Sequence, residues 1–367
     1  MSDEIADRLS HGGFMLSPEL FDASFFRISN AEAGVIDAQQ RLLLERGYSS
    51  LHGAGFTRQS LLGSVTGVYV GVWTSEYSEI LSASPAGSSV FAATAAHLSV
   101  FCGRISFVLG LQGACMSSDT ACSSSLVATH SAVRALQRVE CTSALACGTN
   151  MMYSLMSNIG SAVAGMTSRR GRSHTFDERA DGYARGEACG SAALQLAEPS
   201  DDSSAGVSIH GCAVRQDGRS ASLTAPNGQA QQALLRATLA DAGIAAAEMV
   251  VLEAHGTGTS LGDPIEAGSL AAVVLAKRGV DEVLAVGSGK ANVGHTEPAA
   301  GMTGIVRLAS ALAHGLGTPN AQLRVLNPHV EAAVGGLPCA MLTQCAVLGT
   351  SGAGGVSSFG YSGTIAH

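Results

Sequence analysis

The chain is poor in charge and in aromatic rings. Of its 367 residues, 14% are Asp, Glu, Lys or Arg, 5% are aromatic, and one is tryptophan. The 21 Lys and Arg stand against 29 Asp and Glu, a formal net charge of −8. Phosphate backbones are bound through clustered Lys and Arg, so the balance argues against a nucleic-acid surface, although a short acidic partner protein can still dock locally. No apolar run approaches the ~20 residues that a membrane-spanning helix needs, and Met1 to Ser10 has no apolar stretch of the secretory kind. No membrane segment is expected. The protein reads as cytoplasmic, with organelle targeting left open should the N-terminus be truncated.

Cysteine is present without pattern. The nine cysteines are odd in number, show no Cys-x-x-Cys spacing and have no nearby histidines in a zinc-ligand arrangement. That argues against a structural metal and predicts mostly free thiols in a reducing compartment. Cys102, Cys115, Cys141, Cys147, Cys189 and Cys212 are read as packing residues.

What is present suits a buried core. Hydrophobic residues make up 46% of the chain, enough at this length for one large α/β domain or two fused halves. Apolar runs rich in β-branched residues alternate with Ala- and Leu-rich stretches of helical length. Strands are predicted at Val65–Trp73, Ala144–Cys147, Ser191–Leu196, Val207–Val214, Met249–Leu252 and Val283–Val286. Helices are predicted at Ser124–Arg138, Gln229–Ala242, Pro264–Lys277 and Ala299–His314. Asp201-Asp202-Ser203-Ser204 reads as a link between residues 1–200 and 201–367.

One cysteine stands apart. Cys122, in Asp119-Thr120-Ala121-Cys122-Ser123-Ser124-Ser125-Leu126, lies among small residues just before a predicted helix. The unpaired N–H groups and partial positive charge of a helix N-terminus favour thiolate. Cys122 is therefore a candidate nucleophile, against the plainer reading of a small buried hydrophobe. Two histidines follow probable strand ends, where functional groups collect: His255 in Glu253-Ala254-His255-Gly256-Thr257-Gly258-Thr259, and His295 in Lys290-Ala291-Asn292-Val293-Gly294-His295. The nucleophile lies in the first half and both histidines in the second, so the site must form where the halves meet.

With these segments the chain resembles the β-ketoacyl synthase (ketosynthase) family of the thiolase superfamily, and within it the ketosynthase domains of type I or modular polyketide synthases. Further landmarks occur in order along nearly the whole chain. They are Phe21-Asp22-Ala23-Ser24-Phe25-Phe26, Gln39-Gln40-Arg41-Leu42-Leu43-Leu44-Glu45, Gly103-Arg104-Ile105-Ser106, Ala180-Asp181-Gly182-Tyr183-Ala184-Arg185-Gly186-Glu187, Thr224-Ala225-Pro226-Asn227-Gly228 and Ser357-Ser358-Phe359-Gly360-Tyr361-Ser362-Gly363-Thr364.

The resemblance implies an α/β thiolase-like fold, two similar βαβαβ halves packed as an αβαβα layered sandwich, usually as a homodimer. It implies an acyltransferase that performs decarboxylative Claisen condensation in polyketide or fatty acid biosynthesis. Its substrates ride on the phosphopantetheine of an acyl carrier protein, with neighbouring synthase domains as further partners and no bound cofactor or metal. By position, Cys122 is the nucleophile and Lys290 holds the surrounding network. His255 and His295 serve the decarboxylation and condensation as hydrogen-bond donors that stay protonatable near neutral pH. The main-chain N–H groups of Cys122 and Tyr361 correspond to the oxyanion hole. Thr257 and Thr259 match pantetheine-contacting positions, and Phe359 and Tyr361 the acyl-pocket gate. On turn chemistry alone the two threonines read equally well as hydroxyls satisfying backbone groups.

The chain also departs from the family. It starts well inside the usual domain and stops at His367, where a final strand usually follows, so it reads as truncated at both ends. Ala38, Ala114, Ala188 and Ile365 replace the usual proline, Gly-Pro, glycine and asparagine. Gly287-Ser288-Gly289-Lys290-Ala291 lacks the first glycine and the final Ser or Thr of a phosphate-binding loop, and Gly352-Ala353-Gly354-Gly355-Val356-Ser357 lacks the last glycine of a dinucleotide fingerprint. Neither ATP nor a nicotinamide is supported. A thiolase would need a second cysteine in a glycine-rich motif, which Cys339 and Cys345 do not supply. The alternative kept in view is a truncated, non-catalytic scaffold for dimerisation or carrier docking.

Overall fold

The computed structural model describes residues 2–73, 76–197, 206–348 and 352–367. Among these, the strands in chain order are β1 (Thr66–Gly71), β2 (Cys115–Ser118), β3 (Ser143–Asn150), β4 (Ala188–Leu194), β5 (Val214–Gln216), β6 (Met249–Glu253), β7 (Leu284–Gly287), β8 (Leu316–Gly317), β9 (Cys339–Met341), β10 (Ala346–Val347), β11 (Ala353–Val356), β12 (Ser358–Phe359) and β13 (Thr364–Ala366). One four-stranded sheet has the order β2-β1-β3-β4 and the other β11-β6-β7-β9. β1 runs parallel to β2 and β3, and β4 closes that sheet antiparallel. The second sheet is parallel throughout.

Period-2 alternation explains why both sheets are covered on two faces. In β1 and β3, Val68, Val70, Leu145 and Cys147 share a core with Leu43, Leu44 and Leu51 of the helix Ala38–Gly53 and with Phe101, Ile105 and Leu109 of the helix Leu98–Leu109. The intervening Tyr69, Ala144 and Ala146 face Ala128, Ala132 and Ala135 of the helix Ser124–Gln137, together with Met302. The second sheet repeats the scheme. Leu252, Leu284 and Val286 pack on Leu235 of the helix Gly228–Ala242 and Leu270 and Val273 of the helix Gly262–Val273. Val251 and Ala285 pack on Ala311 and Leu308 of the helix Ala300–His314. Helices 124–137 and 300–314 form the layer between the sheets, which gives the αβαβα order.

The middle layer sets where chemistry can occur. A Cβ on Gly71, at the end of β1, would come 2.3 Å from the main-chain nitrogen of Ser125, so only glycine lets the N-terminus of helix 124–137 sit on the strand end. Ser125 Oγ in turn accepts the N–H of Met302 at 3.0 Å, which links the first turns of the two central helices.

Three expectations need correction. The strand predicted at 207–214 is ordered as a strand only from Val214 (β5). Val214–Gln216 pair with β13, Ala213 exchanges hydrogen bonds with His367, and residues 207–210 lie exposed. The helix predicted at 264–277 runs Gly262–Val273 and tightens into a 3-10 turn at Leu275–Lys277. Cys115, read as a packing residue, is exposed on β2, the edge of its sheet. The link at Asp201–Ser204 lies outside the described residues. No helix among the described residues is long and apolar enough to cross a membrane.

Candidate active site

Cys122 lies on a tight turn between β2 and helix 124–137, and neighbouring serines hold that turn. Ala121 adopts φ +54°, a conformation costly for a side-chain-bearing residue, and is fixed there by its N–H to Asp119 Oδ1 at 3.0 Å. Ser124 Oγ accepts the Thr120 N–H at 2.8 Å and donates to Ala121 O at 2.6 Å. Ser123 Oγ donates to Thr364 O at 2.8 Å, and Ser358 Oγ donates to Cys122 O at 2.6 Å. The nucleophile segment is thus tied to β12 and β13, far away in sequence.

The thiol behaves differently from the sequence expectation. Burial pushes Cys122 up to about 12, reinforced by the Glu297 carboxylate, while Lys290 and the N–H groups of Tyr361 and Cys122 itself pull the other way. Desolvation outweighs the helix terminus, so the resting group is a thiol. The N–H groups of Tyr361 and Cys122 both act on the sulfur, which leaves two main-chain donors beside the reacting atom.

His295 meets this sulfur, and His255 stands beside His295. His295 Nε2 stands 3.0 Å from Cys122 Sγ, and the His255 ring centroid lies 5.8 Å from that of His295. In each ring Nδ1 is taken by a backbone donor: Glu297 N–H to His295 at 3.3 Å and Phe359 N–H to His255 at 3.1 Å. An imidazole whose Nδ1 accepts carries its proton on Nε2. Burial, then Lys290, holds both histidines well below their ordinary range. They are neutral N–H donors at neutral pH, which corrects the expectation that they stay protonatable there.

Lys290 is buried rather than a solvated loop residue. Burial lowers its pKa while the carboxylates of Glu253 and Glu266 support its charge. Glu266 receives the N–H groups of His255 and Gly256 at 2.7 and 2.8 Å, and Glu253 receives Gly289 N–H at 2.6 Å and pairs with Arg307. One cation therefore disfavours imidazolium at both histidines and favours thiolate at Cys122. Lys290→Met is expected to slow alkylation of Cys122 by iodoacetamide about tenfold, because losing the cation lowers the thiolate fraction. It is also expected to move the acid limb of the pH–rate profile upward, toward the ordinary histidine range near 6.5. An unshifted acid limb in the folded variant would refute this account.

Sequence reasoning missed the support beneath His295. Arg185 donates from Nε and Nη2 to Glu297 at 2.6 and 2.8 Å, Asn150 Nδ2 adds a bond at 3.1 Å, and Arg185 also pairs with Glu76 at 3.1 Å. Glu297 sits at φ +49°, which aims its N–H at His295. The Tyr183 ring meets His295 edge-on at 4.9 Å. The signal lies in Ala180–Glu187, a landmark of the family resemblance that carries no role for Tyr183 or Arg185 by itself.

The remaining sequence-predicted residues fall around this centre. Thr257 is buried and its Oγ1 lies 3.3 Å from that of Thr259, whose hydroxyl accepts Gly262 N–H at 3.2 Å; Thr259 thus also serves the turn. Phe359 is buried with its ring centroid 5.2 Å from that of His255, and the Tyr361 side chain is exposed. Among the described residues no group of three or more His, Cys, Asp or Glu is arranged to hold a metal.

Residues 2–200 match the family described as beta-ketoacyl synthase, N-terminal domain, and residues 207–324 the corresponding C-terminal domain. The phenolphthiocerol synthesis polyketide synthase type I Pks15/1 of Mycobacterium bovis is 41% identical over 368 residues, covering 97% of this chain and 17% of that protein. Polyketide synthase GfsB of Streptomyces halstedii is 41% identical over 362 residues, 97% of this chain and 6% of that protein. The chain thus spans less than a fifth of the length of these relatives. Among solved structures, the ketosynthase from module 6 of the bacillaene synthase of Bacillus subtilis superposes with a TM-score of 0.85 at 33% identity, covering 96% of this chain and 62% of that one. The oxazolomycin ketosynthase domain OzmH KS7 of Streptomyces albus gives 0.88 at 32%, covering 97% and 63%.

Proposed function

The chain belongs to the β-ketoacyl synthase family, as a ketosynthase domain of the modular polyketide synthase type, and on that premise we propose that it joins a Cys122-bound acyl chain to a malonyl-type extender with loss of carbon dioxide. The observation that carries this reading is the convergence of one thiol and two neutral imidazole N–H donors, with His295 Nε2 3.0 Å from Cys122 Sγ.

Cys122 attacks the carbonyl of an incoming acyl thioester, and the N–H groups of Cys122 and Tyr361 receive the oxyanion. The tetrahedral species collapses to acyl-Cys122, and the thiol proton ends on the departing pantetheine sulfur. The malonyl thioester then loses carbon dioxide, and the negative charge develops on its thioester oxygen, where the Nε2–H groups of His255 and His295 meet it. The enolate carbon attacks the acyl-Cys122 carbonyl, and Cys122 leaves with the electron pair of the broken C–S bond. Lys290 keeps both imidazoles neutral and supports the thiolate as it forms.

The extender and acyl group arrive on the phosphopantetheine of an acyl carrier protein, with Thr257 and Thr259 along its path and Phe359 and Tyr361 gating the acyl pocket. Residues 1–200 and 201–367 are two halves, supported by one four-stranded sheet in each and by the two family matches. Association as a homodimer is supported by the open edge of β2 and by exposed Phe107 and Met116 beside it. Neighbouring synthase domains are expected because the relatives are far longer than this chain.

The test is intact-protein mass spectrometry. Incubation with an acyl-pantetheine thioester should add one acyl group, and subsequent malonyl-carrier should discharge it as a β-ketoacyl thioester. Folded protein that takes up no acyl group would overturn the reading.

A further inference from the structure

Two cysteines outside the catalytic site meet between the helix Leu98–Leu109 and β2. Cys102 and Ser106 lie one turn apart on one face of the helix. Cys115 pairs in parallel register with Val68, whose side chain enters the core that holds Cys102, and the period-2 alternation of β2 puts Ser117 on the same side. The four side chains interlock. The Cys102 and Cys115 thiols are hydrogen-bonded to each other, Ser117 bonds to Cys102, and Ser106 bonds to Cys115. The Ser106 and Ser117 hydroxyls are buried and find no other partner among the described residues.

Exposure separates the two thiols. Cys102 is buried, whereas Cys115 is exposed on the edge strand of its sheet. The hydrogen bond from Cys102 holds Cys115 below the ordinary thiol range, against the partial burial of its sulfur and with help from Ser106. The same bond, together with burial, raises Cys102. Cys102 therefore keeps its proton, with Ser99 O at 3.4 Å from its Sγ as the alternative acceptor. An accessible thiolate with a second thiol in contact is the arrangement that peroxides oxidise selectively, because the second thiol traps the first product. A second copy adding along β2 takes up main-chain groups in the plane of the sheet, while these side chains stand perpendicular to it.

We propose that Cys115 and Cys102 form a hydroperoxide-reactive pair, with Cys115 the attacking thiol and Cys102 the resolving thiol. The Cys115 sulfur attacks the terminal oxygen of a hydroperoxide and the O–O bond breaks. The sulfur is oxidised to sulfenic acid, and the other oxygen leaves with the Cys115 proton as an alcohol, or as water when the oxidant is hydrogen peroxide. Cys102 then attacks the Cys115 sulfur, the S–S bond forms, the S–O bond breaks, and hydroxide leaves with the Cys102 proton as water. Two thiols lose two electrons and two protons, and the peroxide is reduced. The bond ties helix 98–109 to the strand that runs into the Cys122 turn, and in a reducing compartment it is reversed by thiols.

Cys122→Ala protein is the parent for the test, so the result does not depend on acylation chemistry. After brief exposure to hydrogen peroxide, quenching, unfolding and alkylation with N-ethylmaleimide, it should carry two fewer maleimides than the reduced control. The tryptic peptides on either side of Arg104 should be joined by a bond that dithiothreitol breaks. Adding Cys102→Ser should leave Cys115 as a sulfenic acid, trapped by dimedone about tenfold faster than the exposed Cys345. Cys115→Ser, a change on the exposed edge, should abolish the joined peptides and leave Cys102 unoxidised. Folded parent protein in which peroxide forms no Cys102–Cys115 bond would overturn the proposal. Equal dimedone labelling of Cys115 and Cys345 in the folded Cys102→Ser protein would do the same.

Discussion

Cys122→Ala is expected to eliminate the covalent acyl adduct and to lower condensation by about four orders of magnitude or more, the scale seen when a covalent nucleophile is deleted. The substitution removes one sulfur atom and leaves the turn intact. Ser358 Oγ still donates to the main-chain carbonyl at position 122, and the serine bonds that hold Ala121 at positive φ do not involve the thiol. Because the thiol is buried and protonated at rest, alanine deletes no charge from the resting site, and the melting temperature should change by only a few degrees. The two imidazole donors also remain, so decarboxylation of a malonyl thioester without condensation should persist. Mass spectrometry of the acyl adduct, paired with product and carbon dioxide assays, reads all three. Adduct formation on the alanine variant with unchanged turnover would assign the nucleophile elsewhere.

Much of this arrangement was legible in the chain. The alternation of Val68, Tyr69 and Val70, and of Val251 and Leu252, already encodes strands covered on both faces, because successive side chains must enter different cores. The order of Cys122, His255 and His295 along the chain required a site between the halves, and the central helix layer supplies that meeting place. Two things resisted reading. The strand at 207–214 had the right composition, but pairing is a long-range property that composition does not carry, and the strand is ordered only from Val214. The protonation states resisted for the same reason. A helix N-terminus is visible in sequence as small residues before an apolar period, whereas desolvation depends on what the fold packs around the sulfur, and here it dominates.

The support under His295 shows the same division. Arg185 and Glu297 lie 112 positions apart, and nothing local to either says that they pair. A buried Arg–carboxylate pair is costly to assemble and damaging to break, so it is weak evidence for stability. Its geometric product is specific: the bidentate Arg185 contact and the Asn150 bond hold Glu297 at positive φ, and that backbone pose gives His295 its Nδ1 donor. Catalytic geometry here rests on main-chain N–H groups at Cys122, Tyr361, Glu297 and Phe359, which carry no residue-type signature.

Those backbone donors decide what the histidines do. With Nδ1 occupied, each ring presents Nε2–H to the site and has no lone pair there to accept a proton; imidazolium would form only by protonation of Nδ1, which burial and Lys290 oppose. On the proposed function, both rings therefore serve as hydrogen-bond donors to the extender's thioester oxygen. His255→Ala and His295→Ala are each expected to lower condensation by about 10²- to 10⁴-fold, the range for groups that assist in a transition state, while Cys122 is still acylated. Asparagine, which offers an amide N–H but no titratable ring, should recover part of the lost rate at either position. A proton-accepting role predicts the reverse: asparagine no better than alanine. Single-turnover acylation measured beside steady-state condensation separates the two, since a histidine that acted as base toward the Cys122 thiol would slow the first step as much as the second.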